Sequence, residues 1–171
     1  MAVVGRFQPF HWGHFEYLAE AATIGGPRLT VGITNPSPTM TRSTPLDKSR
    51  STPSSNPFSF DQRKEMIARS FTGIDMRVDL DFRPCDLRSI TSIRSSLGDC
   101  QVVAITIYDA WGLEKQRLME EAGYDVRVLW RRSEKLVSGT EVRERLRARR
   151  PWEHLVPSGT ASVINSADVN Y

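Results

Sequence analysis

Cysteine is scarce in this chain. Its 171 residues include two, Cys85 and Cys100. They form no Cys-x-x-Cys pair and no Cys/His zinc spacing, which excludes a thiol-redox motif and a zinc ribbon. Reduced thiols in a cytoplasmic protein are the expectation. No apolar run is long enough to span a bilayer, and the first residues lack the layout of a secretory signal, so no membrane partner is expected. There is no aromatic-rich strand motif of the kind that stacks RNA bases. A net charge of +3, with a pI near 9.1, is far from the charge density of a dedicated nucleic-acid binder, and no nucleic-acid partner is expected. No internal repeat and no break in composition marks a boundary, so residues 1–171 read as a single domain with a full core. A homo-oligomer stays open.

What is present is an alternation of short apolar runs with helical patterns. Ala2 to Val4 reads as a buried strand ended by Gly5. Gly13 to Ile24 reads as a helix with Phe15, Leu18, Ala19 and Ala22 on one face, stopped by Gly25-Gly26-Pro27. Leu29 to Ile33, Met76 to Leu80, Val102 to Ile107 and Val126 to Trp130 are further strands, the third of them continuous and β-branched. Ser59-Phe60-Asp61-Gln62 is a capping box opening a helix to about Phe71. Leu87 to Leu97 and Leu113 to Ala122 are helical, and Ser138-Gly139-Thr140-Glu141 is a second capping box opening a helix to about Arg149. Thr34 to Asn56 is a long Ser/Thr/Pro-rich loop holding Arg42, Lys48 and Arg50. Residues 158–171 read as a polar tail with at most one short helix. The pattern predicts a Rossmann-like, five-stranded, mostly parallel α/β sheet covered on both faces, with ligands at the C-terminal strand ends.

Four segments carry chemistry. In Gly5-Arg6-Phe7-Gln8-Pro9-Phe10-His11-Trp12-Gly13-His14, Arg6 offers a fork to phosphate, and His11 and His14 straddle Gly13 at a helix start, beside free N–H groups. That is a site for an anion and for charge developing in a transition state. A zinc site would need a third ligand, and the one other histidine, His154, lies in the tail. A structural pair in a turn is the other alternative. Ser138-Gly139-Thr140-Glu141-Val142-Arg143 combines the N–H groups of a helix start with hydroxyls and an Arg one turn in; a plain cap with a solvated Arg is the alternative. Asn56-Pro57-Phe58 precedes Arg63, which could bind an acceptor phosphate or simply be solvated. Tyr108-Asp109-Ala110-Trp111-Gly112 follows the strongest strand, where an aromatic and a carboxylate could frame a base or ribose, or Trp111 could merely cap the core.

Together these segments resemble the HxGH nucleotidylyltransferase superfamily, with His11-Trp12-Gly13-His14 as its signature. Over nearly the whole chain they are similar to archaeal-type nicotinamide mononucleotide (NMN) adenylyltransferases, including Glu121-Ala122-Gly123-Tyr124 and Trp152-Glu153-His154-Leu155-Val156-Pro157. Gly32-Ile33-Thr34-Asn35-Pro36 and the block from Thr106 to Gly112 look more like the cytidylyltransferase domains of phosphonate-antibiotic biosynthesis. The resemblance implies in-line attack of an acceptor phosphate or phosphonate on the α-phosphorus of an Mg²⁺-bound NTP, with release of pyrophosphate. His11, His14 and Arg6 would be catalytic. Gly5, Phe7, Gln8, Gly13, Tyr108, Asp109, Trp111, Ser138, Gly139, Thr140 and Arg143 would hold the nucleotide. Asn56, Phe58, Arg63 and Arg88 would hold the acceptor, and no protein metal site is expected. The chain departs from the adenylyltransferases in lacking their Ser-Gly-Asn-like turn after the fourth strand and any aromatic between Leu87 and Leu97. With Arg63, Arg88 and Arg94 nearby, that region suits a small anion better than a nicotinamide ring. CTP with a small hydroxyalkylphosphonate or phosphate is the favoured substrate pair. ATP with NMN is the alternative, and a non-catalytic nucleotide sensor is the alternative of another class.

Overall fold

The computed structural model describes residues 1–37 and 51–167. Its centre is a five-stranded sheet in the order β3-β2-β1-β4-β5, with β1 Ala2–Gly5, β2 Arg28–Thr34, β3 Asp79–Cys85, β4 Val102–Ile107 and β5 Asp125–Arg131. Every neighbouring pair is parallel. β1 is central and has no solvent face. Val3 packs into one apolar cluster with Leu18, Val31 and Ile67, while Ala2 and Val4 pack into the other with Ile93, Ile105 and Met119. That is why its sequence is uniformly apolar rather than alternating. The helices α1 (Trp12–Gly25), α2 (Phe60–Ser70), α3 (Ile90–Leu97), α4 (Ala110–Glu121), α5 (Gly139–Arg147) and α6 (Ser158–Ser166) cover the two faces. No described helix is long and apolar enough to cross a membrane.

Several expectations shift. β3 lies at Asp79–Cys85 rather than Met76–Leu80. It is an edge strand, so only one flank is paired, and it tolerates Pro84 and exposes Asp79 and Asp81. On α1 Leu18 and Ala22 are buried as expected, and Tyr17 and Ala21 complete the buried face in place of Phe15 and Ala19. The capping box of α2 is complete, Ser59 and Gln62 each bonding the other's backbone N–H. At α5 only half of the predicted box forms: Ser138 Oγ accepts from the Glu141 N–H, but the Glu141 carboxylate turns to Arg145. The predicted polar tail contains α6, whose Thr160, Val163 and Ile164 are buried against α2, with the Thr160 and Ser70 hydroxyls 3.2 Å apart. Of the long loop, Thr34 ends β2 and Pro53–Ser55 forms a 3-10 turn. Arg42, Lys48 and Arg50 lie outside the described residues.

Arg63 is the largest correction. Its side chain is 1% exposed. The guanidinium donates to the carbonyls of Ser59 (3.1 Å), Arg6 (2.8 Å), Thr34 (2.7 Å) and Asn35 (2.9 Å). It is committed to fastening the start of α2, the end of β2 and the loop after β1 together, and has no surface to offer an acceptor. Burial lowers its pKa to about 10, so it stays charged at neutral pH. Arg63→Met should remove this donor from the Arg6, Thr34 and Asn35 carbonyls, while Ser59 keeps the backbone N–H of residue 63, and lower the unfolding free energy by about 3–5 kcal/mol, measured by urea denaturation. Arg63→Lys should recover little of it, because an ammonium lacks the fork. Wild-type stability in Arg63→Met would mean that the bonds are incidental.

Candidate active site

A cavity of about 530 Å³ opens at the C-terminal ends of β1 and β4. This is the switch point of the sheet, since the chain runs outward from β1 to β2 and β3 on one side and, after crossing back, from β4 to β5 on the other. Three segments wall it: residues 5–14 after β1, residues 106–112 at the end of β4, and residues 137–143 at the start of α5. The structure therefore gathers Gly5, Arg6, Phe7, Gln8, His11, Gly13 and His14 with Tyr108, Asp109, Trp111, Ser138, Gly139, Thr140 and Arg143.

His11 is the N-cap of α1, and its Nδ1 accepts from the His14 N–H at 3.3 Å. An acceptor Nδ1 places the proton of the neutral ring on Nε2, making that edge a donor. The two imidazoles stack with centroids 3.6 Å apart. Phe7 meets the His14 ring edge-on at 5.0 Å, and Phe10 stacks on it at 5.9 Å. Burial, then the charges of Lys135 and Arg143, lower His11 to a pKa of about 3. Burial, then His11, Arg6, Lys115 and Lys135, hold His14 well below its ordinary value. Both rings are neutral at pH 7. They are hydrogen-bonding groups set at a positive helix end, not standing cations.

The start of α5 is locked to the loop after β1. A Cβ on Gly139 would lie 2.5 Å from the Gln8 carbonyl oxygen, so only glycine lets α5 come this close. Arg143, 4% exposed, donates to that same carbonyl and to Thr140 Oγ1. Gly5 has a similar reason: a Cβ there would strike the Phe7 ring at 2.6 Å. Beyond β4, Asp109 caps α4 through the Gly112 N–H at 3.0 Å and pairs with Lys135 at 3.0 Å. Tyr108 Oη accepts from Trp130 Nε1 at 2.8 Å.

Other expected roles change. The Gln8 amide is spent on the Phe58 backbone, donating to its carbonyl at 2.8 Å and accepting from its N–H at 3.0 Å, so Gln8 faces the cavity with main chain only. The Phe7 ring is fully buried and supports His14 rather than presenting a face. Phe58 is a core residue at 2% exposure, not an acceptor contact. Arg88 is fastened to Asp86 and lies outside the cavity lining, and Arg94 bonds the Ala122 carbonyl. Asn56 also lies outside the lining, bonded to Asn35, which is part of it. The sequence reading missed Tyr17, Lys115, Lys135 and Arg147, all of which line the cavity. Their positions on helix faces and in a loop gave no motif to find them by. Among the described residues no three His, Cys, Asp or Glu side chains cluster to hold a metal.

The neutral imidazoles make stability pH-dependent. Their folded pKa values lie below the unfolded value near 6.5, so protons prefer the unfolded chain. Their contribution is complete above pH 6.5 and is lost as pH falls towards 3, at up to about 1.4 kcal/mol per pH unit for each ring. The loss between pH 7 and 5 should be smaller in a His11→Asn/His14→Asn variant when followed by urea denaturation. Parallel curves for the two proteins would contradict neutral histidines.

Comparison with known proteins agrees with this geometry. Residues 2–145 match the cytidylyltransferase-like family. The chain is 33% identical to phosphonoformate cytidylyltransferase of Streptomyces viridochromogenes, covering 97% of this chain and 90% of that one. It is 30% identical to nicotinamide-nucleotide adenylyltransferase of Methanococcus aeolicus, covering 97% and 88%. It is 28% identical to the protein of the same name from Thermoplasma acidophilum, covering 97% and 85%. A parallel sheet with a cation-lined cavity at its switch point, a histidine pair at one helix start and a Ser-Gly-Thr turn at another thus belong to a nucleotidyltransferase, and the chain is a member of the cytidylyltransferase-like family.

Proposed function

We propose that the enzyme transfers a cytidylyl group from CTP to a small phosphonate or phosphate, releasing pyrophosphate. The observation that carries this is the cavity wall. Arg6, Lys115, Lys135, Arg143 and Arg147 line it, with Asp109 as the carboxylate among the described residues. Such a wall favours two polyanions side by side. The 33% identity to phosphonoformate cytidylyltransferase along the chain supports the choice of base and acceptor. So does α3, which offers no aromatic ring on which a nicotinamide could stack.

An acceptor oxygen attacks the α-phosphorus. The new P–O bond forms as the bond to the β-phosphate oxygen breaks, and the electron pair leaves with pyrophosphate. The acceptor is already an oxyanion, so no general base is required, and positioning with charge stabilisation supplies the rate. The Nε2–H of His11, with His14 beside it, donates to the oxygens of the α-phosphate as charge grows there. Ser138, Gly139 and Thr140 turn the first N–H groups of α5 to the departing β- and γ-phosphates, and Arg6 supplies a fork. Arg143 acts from beneath, fixing Gln8 and Thr140. Tyr108, Asp109 and Trp111 border the nucleoside. Among the described lining residues the one carboxylate, Asp109, is engaged by the Gly112 N–H and Lys135, so the residues present fit an Mg²⁺ ion that would be carried mainly by the triphosphate oxygens and would neutralise their charge.

The test is pyrophosphate release with Mg²⁺, each NTP in turn, and phosphonoformate, hydroxyalkylphosphonates or NMN. Release with CTP and a phosphonate is expected. Release confined to ATP with NMN would overturn the proposal in favour of NAD synthesis, which the 30% identity to the Methanococcus protein keeps as the second reading. His14→Ala should lower kcat by about 10²-fold with little change in KM. A rise in KM alone would give His14 a ground-state role.

A further inference from the structure

The gap at the switch point is built by two side chains that no motif announces. β1 and β4 pair only through Ala2↔Val103 and Val3↔Ala104. At the next residue a side chain intervenes. The Tyr17 hydroxyl, fully buried, accepts from the Val4 N–H at 3.2 Å and donates to the Ala104 carbonyl at 2.5 Å. One hydroxyl thus stands where the two strands would otherwise bond each other directly. Val4 turns its carbonyl to the same side as its N–H, since β1 pairs with β2 along its other edge. That carbonyl accepts from Lys115 Nζ at 3.3 Å. Tyr17 comes from α1 and belongs to the apolar cluster on one face of the sheet. Lys115 comes from α4, whose Leu118 and Met119 belong to the cluster on the other. Two helices on opposite faces therefore meet through their side chains at the end of β1. Both residues line the cavity, the ammonium lies 5.8 Å from the Tyr17 ring centre, and its charge acts on His14.

We propose that Tyr17 and Lys115 form the floor of the active site as one unit, Tyr17 holding β1 and β4 apart and Lys115 presenting a cation in that gap to a phosphoryl or phosphonyl oxygen of the substrates. Tyr17 is a positioning residue, because it acts through the strands. Lys115 is a binding residue. A lysine suits this place: its ammonium is a compact charge that can hold the Val4 carbonyl with one donor and turn another to an anion. Without the wedge, the Val4 N–H and the Ala104 carbonyl would draw together and narrow the space over the ammonium. The inference rests on the phosphoryl-transfer reading of the cavity but not on the choice of CTP.

Calorimetric titration with phosphonoformate alone and with Mg²⁺-pyrophosphate alone tests it independently of turnover. Lys115→Met should weaken at least one of the two by about tenfold or more, and Lys115→Arg should recover most of the loss. Weakening of phosphonoformate alone places Lys115 on the acceptor, and of pyrophosphate alone on the nucleotide phosphates. Unchanged binding of both overturns the proposal. Tyr17→Phe should weaken the same anion as Lys115→Met, and the double variant should be little worse than Lys115→Met, as coupled residues behave. Additive losses would show that the two do not act as a unit. Circular dichroism and melting temperature accompany each variant. If Tyr17→Phe is too unstable to titrate, the Lys115 pair still decides whether the cation binds. Failure of CTP turnover with intact, Lys115-dependent anion binding would instead count against the substrate assignment.

Discussion

The loop from Gly5 to His11 lies inside the protein, and its backbone groups must be hydrogen-bonded without a strand ladder or a helix to do it. Two arginines meet part of that need. Arg63 takes the Arg6 carbonyl and Arg143 takes the Gln8 carbonyl. The Gln8 side chain in turn ties the loop to the backbone of Phe58. A planar guanidinium suits this work because it points several donors in fixed directions and stays protonated when buried. The same bonds set the relative positions of β2, α2 and α5 around the loop, so the N-terminal ends of α1 and α5, proposed to bind phosphate, are held in register by the structure's response to an unpaired backbone.

That solution has an electrostatic consequence. Arg63 gives its hydrogen bonds to carbonyl oxygens, which share its charge without cancelling it. Arg143, Arg6, Lys115 and Lys135 add positive potential next to the histidine pair and join with burial to keep both rings neutral. On the proposed function, an arriving triphosphate would reverse the local balance, and charge developing at the α-phosphate would strengthen the imidazole donors. The positive charge rests on residues that cannot easily lose it, and the reactive edge of the site is left to groups that respond.

Much of this could be read in the sequence because it is written in local rules. Helix starts at Ser59 and Ser138 follow from capping chemistry, and β1 and β4 follow from uninterrupted apolar runs, whereas the cap at Asp109, three residues ahead of the expected helix start at Leu113, did not stand out. The pairing of the first loop with the Ser138 segment pointed to phosphate. What failed depends on distant neighbours. Arg63 and Arg143 look like surface arginines on a helix, and only the packing of other segments over them makes them internal. β3 puts a charged residue at every second position near its start, where Leu80 and Phe82 alternate with them towards the core, and its fully buried residue is Cys85 at the end, so it reads as polar until its edge position is known. α6 is rich in Ser, Thr and Gly, which looks like a tail but permits close contact with α2. Tyr17 and Lys115 carry no signal, since their meaning lies in a gap between strands that are neighbours in space only.

The division of the site explains why the chain is similar to proteins with two different substrate pairs. Attack at an α-phosphorus asks for the same things whichever base and acceptor are attached: donors over the α-phosphate, a helix end for the leaving pyrophosphate, and a fixed distance between them. In the proposed mechanism these come from the loop after β1 and from α5, whose mutual contact leaves little room for change, as the 2.5 Å approach at Gly139 illustrates. On the same proposal base and acceptor fall to other elements, the turn from Tyr108 to Gly112 and the floor where α1 and α4 meet. Those can vary without moving His11 or His14. Resemblance in the first set therefore identifies the reaction, and only the chemistry of the second set, here cationic and without an aromatic platform on α3, argues for small anions over a flat ring.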